Sequence, residues 1–315
     1  MGKDQVDHLE PSVRQFLSRL AADYERLSAG REIDIVERRR VAELVREPWS
    51  AGGPTMAETV DLKVGPFNVP VRIHRPVADL SLPVLIYAHG GGWMLFSLDT
   101  HDRLMREYAA RAQVTVVGVD YSLAPEAKFP RPVEEIASVA RWVRSEGASA
   151  GLNAANIAIG GDSAGGNLAV ATNLALIAAG QQPLDAQLLN YGAFDPDPRP
   201  SHDHFDGPDY NLTSEEMTDF WVNYLPPSAA SDPLARPLLG DLSGLPPTFL
   251  CIAECDILAD ENWEMAEALE QAGVAVTARS YEGAAHSFLE AVSISPLADR
   301  ALTEASDWLS QVLRR

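Results

Sequence analysis

The chain has 315 residues, enough for one large domain or two modest ones, and 46% of them are hydrophobic, which supplies a sizeable core and excludes a disordered chain. Its 45 acidic residues outnumber 25 basic ones, a formal net charge of −20. That sign opposes nucleic acid or an anionic membrane as a partner, while suiting solubility or a high-salt setting.

The opening "MGKDQVDHLEPSVRQFLSRLAADYERL" contains no apolar core of signal-peptide length, and no stretch of the chain approaches a membrane span. Val6 stands where a myristoylation signal carries Ser or Thr. The expected setting is cytoplasmic. Over residues 10–46, Val13, Phe16, Leu17, Leu20 and Tyr24 recur at helical intervals, and so do Ile33, Val36, Val41, Leu44 and Val45. This predicts two amphipathic helices separated by "SAGR" and ended by Pro48 and "SAGGPT". Residues 1–50 are therefore expected to form a helical arm before a main domain spanning 51–315.

The period then changes. "ETVDLKV" and "NVPVRIHRP" read as a β-hairpin around "GPF". "LPVLIYAHG", "VTVVGVDYS", "IAIGGDS", "AQLLNYGA", "TFLCIAECD" and "VTARSYEG" follow as apolar runs of strand length. Helical patterns lie between several of them, at 100–111, 133–144, 164–179 and 261–272, and the amphipathic "LADRALTEASDWLSQVLRR" closes the chain. Buried strands alternating with helices predict an α/β fold with a mostly parallel central sheet flanked by helices. Residues 195–247 interrupt this alternation. Only 214–224 reads as helical there, and so long an insertion suggests a lid or a substrate wall. Cys251 and Cys255 share one strand-like run and are expected to be reduced core residues.

Chemistry concentrates at "IAIGGDSAGGNLAVA". Gly161-Asp162-Ser163-Ala164-Gly165 is a G-x-S-x-G motif between a predicted strand and a predicted helix. The turn is too tight for side chains at the two glycines. It lifts the serine hydroxyl above the sheet edge, where the helix N-terminus favours developing negative charge. A phosphate-binding loop is excluded here, since neither Walker A nor the dinucleotide glycine pattern is present. Upstream, "YAHGGGWM" places three glycines directly after a strand, so the backbone itself is expected to act. The amides of Gly91, Gly92 and Ala164 are candidate oxyanion donors.

A serine hydroxyl needs a base. His286, in "YEGAAHSFLE", follows the last predicted strand and is the best of the seven histidines. His89 is expected to shape the glycine loop and His101 to start a helix. The acid should lie between serine and histidine in chain order, where "AECDILADE" offers Glu254, Asp256, Asp260 and Glu261. Asp256 falls just beyond a strand end and is the expected partner, with Glu254 and Asp260 as alternatives.

Several motifs together resemble the hormone-sensitive-lipase-like branch of the α/β-hydrolase esterases. They are His89-Gly90-Gly91-Gly92, Asp120-Tyr121-Ser122-Leu123-Ala124-Pro125-Glu126, Phe129-Pro130, Gly161-Asp162-Ser163-Ala164-Gly165-Gly166-Asn167, Asp256-Ile257-Leu258-Ala259-Asp260-Glu261 and His286. The resemblance covers nearly the whole chain. It implies an α/β-hydrolase fold with a helical cap, Ser163, Asp256 and His286 as a catalytic triad, and the three oxyanion donors above. The implied reaction is carboxylic-ester hydrolysis through an acyl-enzyme on short to medium acyl esters, without cofactor or metal. An amidase or lactonase uses the same machinery. A non-catalytic small-molecule receptor on this fold would be expected to lack a triad member, and His286 is present.

The chain departs from the family pattern in two places. Phe96 stands near a position often held by Gly, and Ser287 follows the histidine where Gly is common. Trp93, Phe96, Asp162, Phe220 and Trp221 are the candidate pocket residues, although Phe220 and Trp221 could equally pack the core of the insertion. "SHDHFD" at 201–206 is expected to be a solvated loop rather than a metal site. The assembly is left open between a monomer and a homodimer.

Overall fold

The computed structural model describes residues 8–31 and 33–314, so Val6 lies outside the described residues. Helix α1 (Pro11–Ser28) starts where the Glu10 carboxylate accepts the Ser12 and Val13 amides, both at 2.9 Å. It buries Val13, Phe16, Leu17 and Leu20, the stripe read from the sequence, and stops at Ala29, whose φ of 53° is left-handed. Helix α2 (Ile35–Ser50) is capped by Asp34, which accepts the Glu37 amide. The two helices meet through Phe16 and Trp49, edge to face at 4.7 Å. α2 stops at Ser50, the first residue of "SAGGPT", two positions after Pro48, which lies in the last turn and lacks the amide that would bond the carbonyl four residues earlier.

Eight strands form one sheet: β1 (Glu58–Val64), β2 (Val69–Arg75), β3 (Val84–Ala88), β4 (Thr115–Val119), β5 (Ile157–Asp162), β6 (Ala186–Asn190), β7 (Thr248–Cys255) and β8 (Val276–Ala285). Their spatial order is β1-β2-β4-β3-β5-β6-β7-β8. The β1/β2 and β2/β4 pairs are antiparallel and the other five are parallel. Crossovers are made by α3 (Asp102–Ala112), α4 (Arg131–Ser145), α5 (Ala164–Ala178) and α8 (Ala259–Gln271), and α9 (Pro296–Leu313) closes the chain.

The central strands are apolar throughout because both faces are covered. In β3, Val84, Ile86 and Ala88 join the core shared with α4, α5 and α8, while Leu85 and Tyr87 join the core of α1, α2, α3 and α9. Successive residues thus feed opposite layers. Cys251 and Cys255 are both buried free thiols.

Between β6 and β7 the chain forms α6 (Pro200–Phe205) and α7 (Ser214–Tyr224). The latter is fixed by a capping box, with Thr213 Oγ1 accepting the Glu216 amide and Glu216 accepting the Thr213 amide. "SHDHFD" is mostly the short helix α6, which corrects the solvated loop read from its polarity. Ser201 is buried there, its amide donating to Asp260 at 2.7 Å. Arg38 of α2 reaches Asp219 of α7 at 2.7 Å, so the N-terminal helices and the insertion are tied together over the sheet.

Candidate active site

The carboxyl ends of β3, β5, β7 and β8 point to one side of the sheet, where α/β folds commonly bind ligands. Ser163 links β5 to α5 with φ 52° and ψ −119°, a strained conformation for a residue with a side chain. The flanking glycines are imposed by packing. A Cβ on Gly161 would lie 2.4 Å from the Ala88 carbonyl oxygen, and one on Gly165 would lie 2.0 Å from the same atom. The hydroxyl that results donates to His286 Nε2 at 3.0 Å. His286, just past β8, turns Nδ1 toward Asp256 Oδ2 at 2.7 Å. Asp256, just past β7, also accepts the Leu258 amide at 3.0 Å.

All three side chains are buried. Burial alone would lower the pKa of His286, but the Asp256 carboxylate outweighs it and the net direction is up. Glu254 and Asp260 are engaged elsewhere. Glu254 accepts the Gly283 amide at 2.8 Å, and Asp260 accepts the Ser201 amide.

The glycine loop after β3 runs over the serine. Gly91 has φ 109° and Gly92 φ 58°. Neither tolerates a side chain: a Cβ on Gly91 would be 2.3 Å from the Leu95 carbonyl oxygen, and one on Gly92 would be 2.2 Å from the Phe220 ring. Among the described residues, the amides of Gly91, Gly92 and Ala164 donate to no protein acceptor, which leaves all three available for an oxygen above Ser163.

Asp162 sits behind this loop. It accepts from Tyr87 Oη at 2.9 Å and from the Gly90 amide at 3.2 Å, and pairs with His101 Nε2 at 3.2 Å. Burial would raise the Asp162 pKa, yet the His101 imidazole holds it below the ordinary value. His101 itself is raised, since Asp162 outweighs the lowering effect of burial. His89 is buried, and desolvation together with the nearby His101 pushes it down to about 3, so it is neutral. Sequence reading assigned His101 only to a helix start. The local pattern marked that role, but nothing in the spacing marked a carboxylate partner 61 positions away. Asn167 was likewise only part of a motif, yet its Nδ2 donates to the Ala193 and Ala235 carbonyls at 2.9 Å each, tying the chain just before the insertion to a point within it.

A cavity of about 490 Å³ opens onto Ser163 and His286, with Tyr24, Arg46, Phe96 and Phe220 among its walls. Asp162 also borders it. Trp93 and Trp221, expected in the pocket, do not border it. Trp93 is fully buried, stacked on Tyr224 at 4.3 Å, with Trp221 at 4.5 Å. Neighbours on a helix point about 100° apart. Phe220 therefore covers Gly92 while Trp221 enters the core. The two departures from the family pattern both occupy left-handed backbone, Phe96 at φ 71° and Ser287 at φ 65°. A glycine would adopt these angles without strain, and here side chains are carried into the cavity wall instead.

Fold and site together define an α/β-hydrolase. Residues 85–290 match the family model described as the alpha/beta hydrolase fold, and the chain belongs to that family. Its resemblance to the hormone-sensitive-lipase-like branch is upheld by its relatives. The chain is 38% identical over 255 residues to an ethyl acetate hydrolase of Pseudomonas putida, covering 78% of this chain and 79% of that protein. It is 38% identical over 242 residues to carboxylesterase NlhH of Mycobacterium tuberculosis, covering 74% and 75%. Among solved structures, it superposes on a hyperthermophilic esterase of the archaeon Pyrobaculum calidifontis with a TM-score of 0.88 at 34% identity, over 96% of this chain and 98% of that one. It superposes on an ester hydrolase from the metagenome of Lake Arreo with a TM-score of 0.90 at 32% identity, over 98% and 100%.

Proposed function

We propose that this chain is a carboxylesterase that hydrolyses small esters through a serine acyl-enzyme. The observation that carries the reading is the continuous line of contacts Ser163 Oγ–His286 Nε2–Asp256 at 3.0 and 2.7 Å beneath three unengaged amides. His286 Nε2 takes the hydroxyl proton as Ser163 attacks the ester carbonyl. Asp256 holds the imidazole tautomer and stabilises its charged form, and Gly91, Gly92 and Ala164 donate to the oxyanion. The protonated His286 then gives its proton to the leaving alcohol, and water, activated in the same way, releases the acid. The names of the relatives support the substrate class, since they describe an ethyl acetate hydrolase and carboxylesterases.

The acyl group favoured is short to medium, about two to eight carbons, because Phe96 and Phe220 wall the cavity beside the glycine loop. Trp93, buried beneath, contributes nothing to that limit. No helix among the described residues is long and apolar enough to cross a membrane. Two buried free thiols suit a cytoplasmic setting. β8 is one of the two edge strands, and its edge on the N-terminal side of Gly283 offers a second copy a place to pair as a homodimer. The test is kcat/KM across p-nitrophenyl esters from acetate to palmitate, with aryl amides and lactones alongside. A maximum among the shorter esters supports the reading. Faster turnover of amides or lactones, or a rise continuing to palmitate, contradicts it.

A further inference from the structure

The esterase reading leaves one charged group in the cavity unused. Arg46, on the last turns of α2, borders the same cavity as Ser163 and His286 and is only 3% exposed. Its guanidinium lies 4.9 Å from the Phe96 ring centroid and 5.8 Å from that of Tyr24, and both rings border the cavity. Its counter-ion is Glu290, also buried, with Nε 2.6 Å from Oε2. That contact compensates charge without aligning as a hydrogen bond, and Nη1 also has no partner among the described residues.

An apolar acyl or alcohol chain would be served better by methionine or leucine at this position. Burying an arginine–glutamate pair is costly, and a buried donor without an acceptor adds to the cost. A substrate oxygen meeting Arg46 from the cavity side would recover part of that loss. Charge narrows its chemistry. Arg46 is offset by Glu290 and Arg38 by Asp219, so the cavity wall carries two guanidinium groups without spare positive charge. A carboxylate would also meet Asp162 and Glu216 on the same walls.

We infer that Arg46 is a specificity-determining residue that donates to a second, uncharged oxygen of the substrate, beyond the ester group under attack. The preferred substrates are esters carrying an ether, keto or hydroxyl oxygen in the acyl or the alcohol half. This inference rests on the carboxylesterase reading.

The experiment compares isosteres on the full-length enzyme. p-Nitrophenyl hexanoate is set against p-nitrophenyl 4-oxahexanoate and 5-oxohexanoate, and pentyl acetate against 2-ethoxyethyl acetate. Each kcat/KM is divided by the rate of hydroxide-catalysed hydrolysis, to remove intrinsic reactivity. The expected result is a preference of roughly 10-fold for an oxygenated member in one half of the ester. That preference should fall to near unity in Arg46→Met and in Arg46→Met/Glu290→Gln. Should the methionine variants not fold, Arg46→Lys keeps the charge and should reduce the ratio. A ratio near unity in the wild type for both halves overturns the inference, and so does a ratio that survives loss of the guanidinium. Equal losses on oxygenated and hydrocarbon esters would assign Arg46 to structure alone and likewise overturn it. If the wild type hydrolysed no ester at all, the carboxylesterase reading would fall first, and this inference with it.

Discussion

Asp162 accepts the Gly90 amide at 3.2 Å and pairs with His101 at the same distance, so one buried carboxylate fastens the glycine loop to the strand that delivers Ser163. Removing one partner of such a pair leaves the other charged and buried. Asp162→Ala should cost about 3–5 kcal/mol of stability. His101→Ala should cost a similar amount, with the double variant well short of additive. Urea unfolding measures all three. Additive losses would mean that the two residues act independently.

Among the acids near the end of β7, only Asp256 touches His286. Asp256→Asn should lower kcat by about 10³–10⁴-fold, because an amide favours the wrong imidazole tautomer. Glu254→Gln and Asp260→Asn should stay within roughly tenfold of wild type, as their contacts are to the Gly283 and Ser201 amides. Steady-state kinetics on p-nitrophenyl butyrate separates the three. A larger loss at Glu254 would reassign the acid.

The pH dependence follows from the same contact. His286 must be neutral to accept the serine proton, and Asp256 raises its pKa above the ordinary 6.5 despite burial. Activity should therefore fall as pH drops through a midpoint above that value in the kcat/KM profile. In Asp256→Asn the residual activity should show a lower midpoint, since burial is then opposed only by the weaker pull of the Asp162 and Glu290 carboxylates. A midpoint unmoved by the substitution would assign the acid limb to another group.

Phe96 walls the cavity at a φ of 71°, an angle glycine adopts freely. Phe96→Gly should move the preferred acyl chain to greater length, because it removes a ring beside the glycine loop. Each added methylene that then fits is worth under about 1 kcal/mol. The profile from butyrate to decanoate reads the shift, and an unchanged optimum would give the limiting wall to Phe220 instead.

Much of the fold was legible because its signals are local. Eight strand-like runs and the alternating helices came from apolar periodicity, and Ser163, Asp256 and His286 came from motif, strand ends and chain order. The errors have physical causes. Trp93 follows the glycine triplet in sequence, but burial of its large ring against Tyr224 takes it away from the cavity. Trp221 differs from Phe220 by one helical step, and periodicity alone could not say which of the two met Gly92. Polarity made 201–206 look like a loop, whereas buried bonds from Ser201 to Asp260 and Ile257 fold most of it as a helix. The pairing of Arg46 with Glu290 joins residues far apart in sequence, and no local pattern announces it.

In the proposed mechanism Ser163 carries the acyl group. The most direct measurement of this is covalent labelling with a fluorophosphonate, read by intact mass and peptide mapping alongside ester turnover. The expected result is one label per chain, on Ser163, with activity lost in step, and neither label nor turnover in Ser163→Ala. A label on another residue, or a folded Ser163→Ala variant keeping more than about a tenth of wild-type turnover, would contradict it.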